Sequence, residues 1–387
     1  MKKICICTTV SITMKAFVVE TAKYLHKNCG YDVTLICSED KKFQETLPEY
    51  LNFIPVEMTR GIDFLAFKSI NDFVKIFKEH KFDMVQYSTP NAACYASIAA
   101  RIAKVPVRLY CQWGIRYVGM NGITRKIFKI IEKMVCKNST DIRAVSFLNK
   151  ELAIKEGLYI GEKVRVVGNG GTIGVDMNQY DISRKKDFCD KVRNEYGIPN
   201  DSFVYGFAGR ISVDKGCTEL IYAFKEIAKS HPDARLLIVG PMDDNCGLEP
   251  KLFEWVRKSN QVVLTGMIDN AKMSEFYSAM DVLVHPTYRE GFGMVLQEAG
   301  AIGIPIITTR IPGASEVMEE GKSCLLVEPR SALELENAMK KLILDRVYSE
   351  NLGQAAYERT KKYYNREVML ENQRKDYITL LGDRENE

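Results

Sequence analysis

Asp281-Val-Leu-Val-His-Pro-Thr-Tyr-Arg-Glu290-Gly-Phe-Gly-Met-Val-Leu-Gln-Glu298 is the stretch whose reading decides the fold. Its opening run, Asp281–Pro286, is short and apolar, so Val282–His285 reads as a buried strand. The Gly291-Phe292-Gly293 turn then opens a helical pattern with Met294, Val295, Ala299 and Ile302 on one side. A strand, a glycine turn and a helix start leave backbone N–H groups where an anion can sit. Glu290 stands in the turn, and Glu298 follows eight residues on, about two helical turns. Both carboxylates can therefore line one crevice. Such a crevice suits a ligand with phosphate in the middle and hydroxyls at both ends, such as a nucleotide-sugar.

Outward from this stretch, short apolar runs alternate with longer amphipathic ones along the whole chain, which argues for α/β layers with parallel sheets. The first half offers strands at Lys3–Thr8, Asp32–Ile36, Leu51–Pro55, Met84–Tyr87, Val107–Cys111, Ile142–Val145 and Val164–Val167. Helices are expected between them, for example over Lys15–His26 and Asn91–Ala103. Gly168-Asn-Gly-Gly-Thr-Ile-Gly174, with four glycines in seven residues, marks a flexible or tightly turned break. Alternation restarts with Phe203–Phe207, Arg235–Val239, Gln261–Leu264, Val282–His285, Pro305–Thr308 and Cys324–Val327. The reading is two doubly wound domains, 1–175 and 176–364, with a polar C-terminal helix, about 365–387, joined to the first. Ligands of such sheets bind beyond the carboxyl ends of the strands, so a cleft between two facing domains is the expected place for a site.

Composition narrows the function. The 387 residues suit two domains, and no segment offers the ~18 uncharged apolar residues of a membrane span. The apolar N-terminus is too short for a secretory leader and reads as a first strand. Eleven scattered cysteines form no C-x-x-C pair, and only four histidines are present. Buried, reduced thiols in a cytoplasmic protein are expected, with no metal site. A net charge of +4 does not call for nucleic acid.

A second motif is Phe207-Ala-Gly209-Arg210-Ile-Ser-Val-Asp-Lys215-Gly216. It leaves the carboxyl end of a predicted strand and precedes a helix starting near Cys217. A guanidinium fork and a mobile ammonium there match a diphosphate. Taken alone, both could equally be solvated loop charges; beside the Glu290–Glu298 run, phosphate binding is the better reading.

These motifs, with Gly303-Ile-Pro-Ile-Ile-Thr-Thr and Pro312-Gly-Ala-Ser-Glu316, resemble in order and spacing the GT4 family of retaining glycosyltransferases, across roughly residues 200–330. The first half resembles the family more loosely, chiefly through its alternation and the Gly168–Asp176 segment. The resemblance implies the GT-B fold, two Rossmann-like doubly wound domains facing across a cleft, and a hexosyl- or N-acetylhexosaminyltransferase using a nucleotide-sugar, most often a UDP-sugar. It implies that Arg210 and Lys215 neutralise the donor diphosphate and Glu298 meets the ribose. Glu290 would contact the transferred sugar. The backbone around Gly291, Phe292, Gly293, Met294 and Val295 would hold phosphate or sugar. Gly209 and Met267 would line the donor site, Met267 near the base. With these cations and a helix end in place, no metal or other cofactor is expected. A hydrolytic glycosidase would need two carboxylates flanking the scissile bond, a role the adjoining phosphate-binding features argue against for Glu290 and Glu298.

The chain departs from the family pattern in its first half. The first strand-to-helix loop, Thr8-Thr-Val-Ser-Ile-Thr-Met14, has no glycine, and Trp113-Gly114 stands where relatives carry His-Gly. No first-domain catalytic residue is carried over. Trp113 can stack on an acceptor sugar or fill a core. His285 reads as a structural histidine. Arg116-Tyr117-Val-Gly-Met-Asn-Gly122 resembles a stretch of bacterial members that build surface polysaccharides, whose acceptors are often sugars on a lipid pyrophosphate. The basic helix pattern Asn121–Lys137 places Ile127, Ile130, Ile131 and Met134 on one face. That face either packs on the first sheet or lies on an anionic membrane, at the inner face of which the protein would be peripheral. The rival functions are an epimerase or phosphorylase of the same fold and a non-catalytic sugar-nucleotide-binding subunit. The lack of a G-x-G-x-x-G after a strand argues against a dehydrogenase.

Overall fold

The computed structural model describes residues 1–58, 65–242 and 246–382. It divides into two units, Met1–Ile173 with the stretch from Glu367 on, and Gly174–Arg366.

The first unit holds a seven-stranded sheet. Its strands are β1 (Lys3–Cys7), β2 (Asp32–Cys37), β3 (Asn52–Pro55), β4 (Met84–Tyr87), β5 (Val107–Gln112), β6 (Asp141–Ala144) and β7 (Val164–Arg165). Their spatial order is β3-β2-β1-β4-β5-β6-β7, and every pairing is parallel. β1 shows why the run Lys3–Cys7 becomes a central strand. Ile4 and Ile6 join one buried cluster with Val33, Leu35 and Leu109, while Cys5 and Cys7 join another with Val85 and Tyr87. A strand covered on both faces needs apolar residues at every position, not at alternate ones.

The second unit repeats the plan with six strands, β8 (Val204–Ala208), β9 (Arg235–Val239), β10 (Val262–Leu264), β11 (Val282–His285), β12 (Ile306–Thr309) and β13 (Leu325–Val327). The order is β10-β9-β8-β11-β12-β13, again all parallel. Each sheet has a switch point where the strand order reverses, β1 against β4 and β8 against β11, and such points open crevices at the carboxyl ends.

The C-terminal helix Arg366–Leu381 is tied to the first unit by polar contacts. Arg143 Nε donates to Asp376 Oδ2 at 2.7 Å, with both side chains largely buried. Thr21 Oγ1 donates to Gln373 at 2.8 Å, the Gln373 amide donates to the Thr172 carbonyl, and Tyr377 Oη donates to Gln86. The predicted extent of this helix runs to 387; residues 383–387 lie outside the described residues. The 168–174 glycines form tight turns: Gly168, Gly170, Gly171 and Gly174 all have positive φ.

Two expectations need correction. The helix expected over Lys15–His26 is two helices, Ser11–Phe17 and Val19–Cys29, broken at Val18. The apolar pattern runs through the break because Val18 and Val19 are both buried. No disulfide is formed among the described residues, yet Cys29, Cys94, Cys111 and Cys189 are only half-buried. Among the described residues no helix is long and apolar enough to cross a membrane.

Candidate active site

The site begins where β8 and β11 diverge. After β8 the chain turns at Gly209, φ +139°, and runs through a short 3-10 turn, Val213–Lys215, into the helix Cys217–Ser230. Gly216 has φ +70°, and a Cβ there would fall 1.9 Å from the Pro286 carbonyl oxygen. Only a residue without a side chain lets this loop press onto the end of β11. Backbone bonding secures the contact: Tyr288 N donates to the Asp214 carbonyl at 2.9 Å. Arg289 pairs with the Asp214 carboxylate at 3.4 Å.

The close approach delivers Lys215 to Glu290. Lys215 Nζ donates to Glu290 Oε2 at 2.8 Å, and His285 Nε2 lies 3.1 Å from the same oxygen. The Gly291 amide donates to Glu290 Oε1 at 3.2 Å. Burial alone would push the Glu290 carboxyl up, but the His285 hydrogen bond and the Lys215 ammonium outweigh it and hold it down at about 2. Glu290 is therefore a carboxylate throughout the physiological range. His285 is almost fully buried, and burial lowers its pKa. The neutral ring then carries its proton on Nε2 to meet the carboxylate, which leaves Nδ1 as the acceptor nitrogen. Nδ1 is buried without a hydrogen-bond partner among the described residues. The sequence reading of a structural histidine missed this bond; the five-residue gap across the strand end was the available signal.

Arg210 behaves differently. Its side chain is 62% exposed, and its nearest carboxylate oxygen, on Asp214, is 3.9 Å away. The guanidinium is loosely held and open to a ligand. Gly313 packs against the turn from the other side: a Cβ there would sit 2.3 Å from the Gly291 carbonyl oxygen.

Gly293, φ +60°, opens the helix Met294–Ala301 without a capping side chain. The Phe292 side chain is buried edge-on against Tyr364, with centroids 5.6 Å apart, so only its backbone can face a ligand. Met294 and Val295 are half-buried. Glu298, one turn into the helix, accepts from Tyr277 Oη at 2.8 Å, and Tyr180 is a second hydroxyl partner. Desolvation raises the Glu298 pKa, partly offset by these two hydroxyls. The two glutamates thus occupy opposed electrostatic settings. Met267 follows the positive-φ Gly266 and is 81% exposed, an unusual placement for a large apolar side chain.

In the first unit Trp113 tilts against Phe17, 5.4 Å between centroids, and lines a cavity of about 50 Å³ beside Arg143, Asp376 and Tyr377. Arg116 is exposed and stacks over Phe128 at 4.8 Å. Tyr117 is buried at 1% exposure, its ring beneath Arg125 and Lys129.

The basic helix, Gly122–Asn138, corrects the sequence reading of its apolar face. Phe128, Ile131 and Val135 face the core. Ile123, Ile127 and Ile130 are exposed, and Lys126, Lys133 and Lys137 are exposed beside them. Arg125 and Lys129 turn the other way, to Glu156 at 3.0 and 2.5 Å.

Residues 189–359 match the family described as glycosyl transferases group 1, and residues 3–146 match glycosyl transferase 4-like. The capsular polysaccharide biosynthesis glycosyltransferase CapM of Staphylococcus aureus is 29% identical over 94% of this chain and 93% of its own. The UDP-Gal:alpha-D-GlcNAc-diphosphoundecaprenol alpha-1,3-galactosyltransferase of Escherichia coli is 26% identical over 83% of this chain and 82% of its own. Among solved structures, Anabaena Alr3699/HepE in complex with UDP and glucose superposes with a TM-score of 0.80 at 20% identity, covering 98% of this chain and 100% of that one. WaaG, a glycosyltransferase involved in lipopolysaccharide biosynthesis, gives 0.73 at 16% identity, covering 97% and 99%. With both halves matched, and with two all-parallel sheets that superpose on those structures along almost the whole chain, the chain belongs to the group 1 glycosyltransferases and has the GT-B fold.

Proposed function

We propose that this glycosyltransferase moves a sugar from a UDP-sugar to an acceptor hydroxyl with retention of configuration, in the making of a surface polysaccharide. The observation that carries the donor half is the Lys215–Glu290–His285 cluster, pressed together at the switch point of the second sheet with Arg210 open beside it. Arg210 and the free N–H donors of Lys215 meet the donor diphosphate. Glu290 accepts hydroxyls of the transferred sugar, and Glu298 accepts the ribose hydroxyls. Gly209 and the backbone of Gly291–Val295 line the diphosphate and sugar, and Met267 lies by the base. As the bond from the anomeric carbon to the phosphate oxygen breaks, charge grows on the leaving diphosphate, where fixed cations and the Met294–Ala301 helix start act most strongly. The acceptor hydroxyl attacks from the same face, forms the new bond to that carbon, and gives its proton to the leaving phosphate. The cations supply the charge that a divalent metal would otherwise bring, so turnover proceeds without a resident metal.

The acceptor is a saccharide carried on a lipid, and Trp113, Arg116 and Tyr117 belong to its side of the reaction. The exposed isoleucine stripe and lysine row of Gly122–Asn138 support a peripheral position at the anionic cytoplasmic face of a membrane. The similarity to CapM and to the diphosphoundecaprenol-linked galactosyltransferase supports this reading. The test is release of UDP from a panel of UDP-sugars with and without lipid-linked saccharide. Acceptor-dependent UDP release, undiminished by EDTA, is expected. Acceptor-independent conversion of the donor, or UDP binding with no turnover on any acceptor, would overturn the proposal.

A further inference from the structure

Two buried tyrosines clasp the carboxylate of Glu298 from separate segments of the second unit. Tyr277 lies on the helix Met273–Ser278 and is fully buried. Tyr180 lies in the turn after Val175 and is also buried. Their rings tilt against each other, 6.1 Å between centroids. Tyr277 Oη donates to Glu298 Oε2 at 2.8 Å, and the Tyr180 hydroxyl donates to the same carboxylate group. The Glu298 side chain itself is only half-buried.

Both tyrosines are fixed from behind. Tyr180 N donates to the Asp176 carbonyl at 3.0 Å. The Asp176 carboxylate accepts from Asn178 N at 3.0 Å and from Arg366 at 3.1 Å. The Gln179 amide donates to the Asn270 carbonyl at 2.7 Å. Asn270 opens the 3-10 turn that leads into the Tyr277 helix, so the two tyrosine-bearing segments are bonded to each other.

This clasp differs in kind from the cluster at Glu290. No cation pairs with Glu298 among the described residues; its partners are two neutral phenols. A neutral donor orients a carboxylate without cancelling its charge. A carboxylate has about four lone-pair positions, and the phenols fill two of them. The pair of positions left over is what a vicinal diol can fill.

We infer that Tyr180 and Tyr277 are positioning residues that hold Glu298 as a two-point acceptor for a vicinal diol, so that the enzyme selects ribonucleoside over deoxyribonucleoside diphosphate sugars. The inference rests on the ribose contact proposed above for Glu298. A deoxyribose would leave a charged, desolvated acceptor position unfilled, at the full desolvation cost of that group. Burial raises the Glu298 pKa and the two phenols pull it back, so losing a phenol moves its protonation to higher pH. A protonated carboxyl offers fewer acceptor positions. Burial also raises both tyrosine hydroxyls, which keep their protons near neutrality; the charged group beside Tyr180 is Arg366.

The test measures binding of UDP and 2′,3′-dideoxy-UDP to the full chain from pH 5 to 8.5, in the parent, Tyr277→Phe, Tyr180→Phe and Glu298→Gln. The two ligands share base and diphosphate, so the titration of those groups cancels in the ratio of affinities. The parent is expected to favour UDP by at least about 100-fold at pH 7.5. Each phenylalanine variant keeps the ring and should cut that ratio by about ten-fold, as for one charge-assisted hydrogen bond. The loss of preference in acid should also begin at higher pH in both, a shift that a packing role would not produce. Dideoxy-UDP should bind them no more weakly than it binds the parent, which reports an intact fold. A parental ratio and a parental acid limb in both phenylalanine variants, with the preference abolished in Glu298→Gln, would overturn the inference and leave the ribose contact standing. Equal affinity of the parent for the two ligands, or an undiminished preference in Glu298→Gln, would overturn the ribose contact and the inference together.

Discussion

Lys215 and Glu290, 75 positions apart in the chain, are joined by a 2.8 Å ion pair. The Glu290 carboxylate, in the turn after β11, holds the ammonium in one orientation. Such a cation loses little on binding and acts fully when charge develops.

Removing either partner should therefore show in kcat more than in KM. Lys215→Ala is expected to lower kcat by about 10²–10³, the range for one electrostatic contact to a developing charge. Glu290→Gln should cost a similar amount and should also change which sugar of a UDP-sugar panel is preferred. Steady-state kinetics on the true donor checks both. Unchanged turnover in either variant would remove the pair from the reaction.

Acid should destabilise the second unit through the same cluster. The Glu290 pKa is depressed from 4.5 to about 2, so its contribution is present above about 4.5 and is lost as pH falls toward 2. By linkage that contribution is roughly 3 kcal/mol at neutral pH. His285 is lowered below its ordinary 6.5, so the unfolded chain binds that proton first and stability starts to fall below about 6.5. Glu290→Gln should flatten the lower part of the curve and His285→Gln the upper part. Urea unfolding of the three proteins from pH 7 to pH 3 measures this; parallel curves would contradict it.

Gly216→Ala tests the loop contact. The methyl would collide with the Pro286 carbonyl oxygen, at 1.9 Å, and φ is +70°. A loss of at least about 2 kcal/mol is expected from strain and displacement. For a unit of this size that is a melting shift of roughly 4–8 °C. Activity should fall further than stability explains, because Lys215 moves with the loop.

The exposed stripe of Gly122–Asn138 predicts membrane behaviour. Co-sedimentation with phosphatidylglycerol vesicles should be strong at low salt and weaken as salt rises. Ile127→Glu with Ile130→Glu should abolish it, and Lys126, Lys133 and Lys137 should each contribute about 1 kcal/mol. Transfer to a soluble acceptor analogue should be unchanged. Equal sedimentation of the variant would assign the stripe to something other than a bilayer.

The strands were legible because a parallel sheet buries both faces, so each strand is a short, continuous apolar run between turns. Arg235–Val239 and Val282–His285 were read to the residue. The exposed face of the basic helix was not legible. Periodicity shows which residues share a side; it does not show which side a sheet covers. The decision rests on Glu156, which draws Arg125 and Lys129 inward from a separate helix end. The site was half legible for the same reason. Lys215 and Glu290 stood out as charges at strand ends, whereas Tyr180 beside Glu298 comes from a remote segment with no local pattern to mark it.

The C-terminal helix sets an order on synthesis. Arg143 waits 233 residues for Asp376, and Gln86 waits 291 for Tyr377. At about 5–20 residues per second, the first of those delays is roughly 10–50 s on the ribosome. The second unit emerges whole in that interval, while the first, begun earlier, lacks its last helix. A nascent chain thus exposes a half-covered sheet face for most of its translation, and stop codons shortly before Glu367 would trap it there.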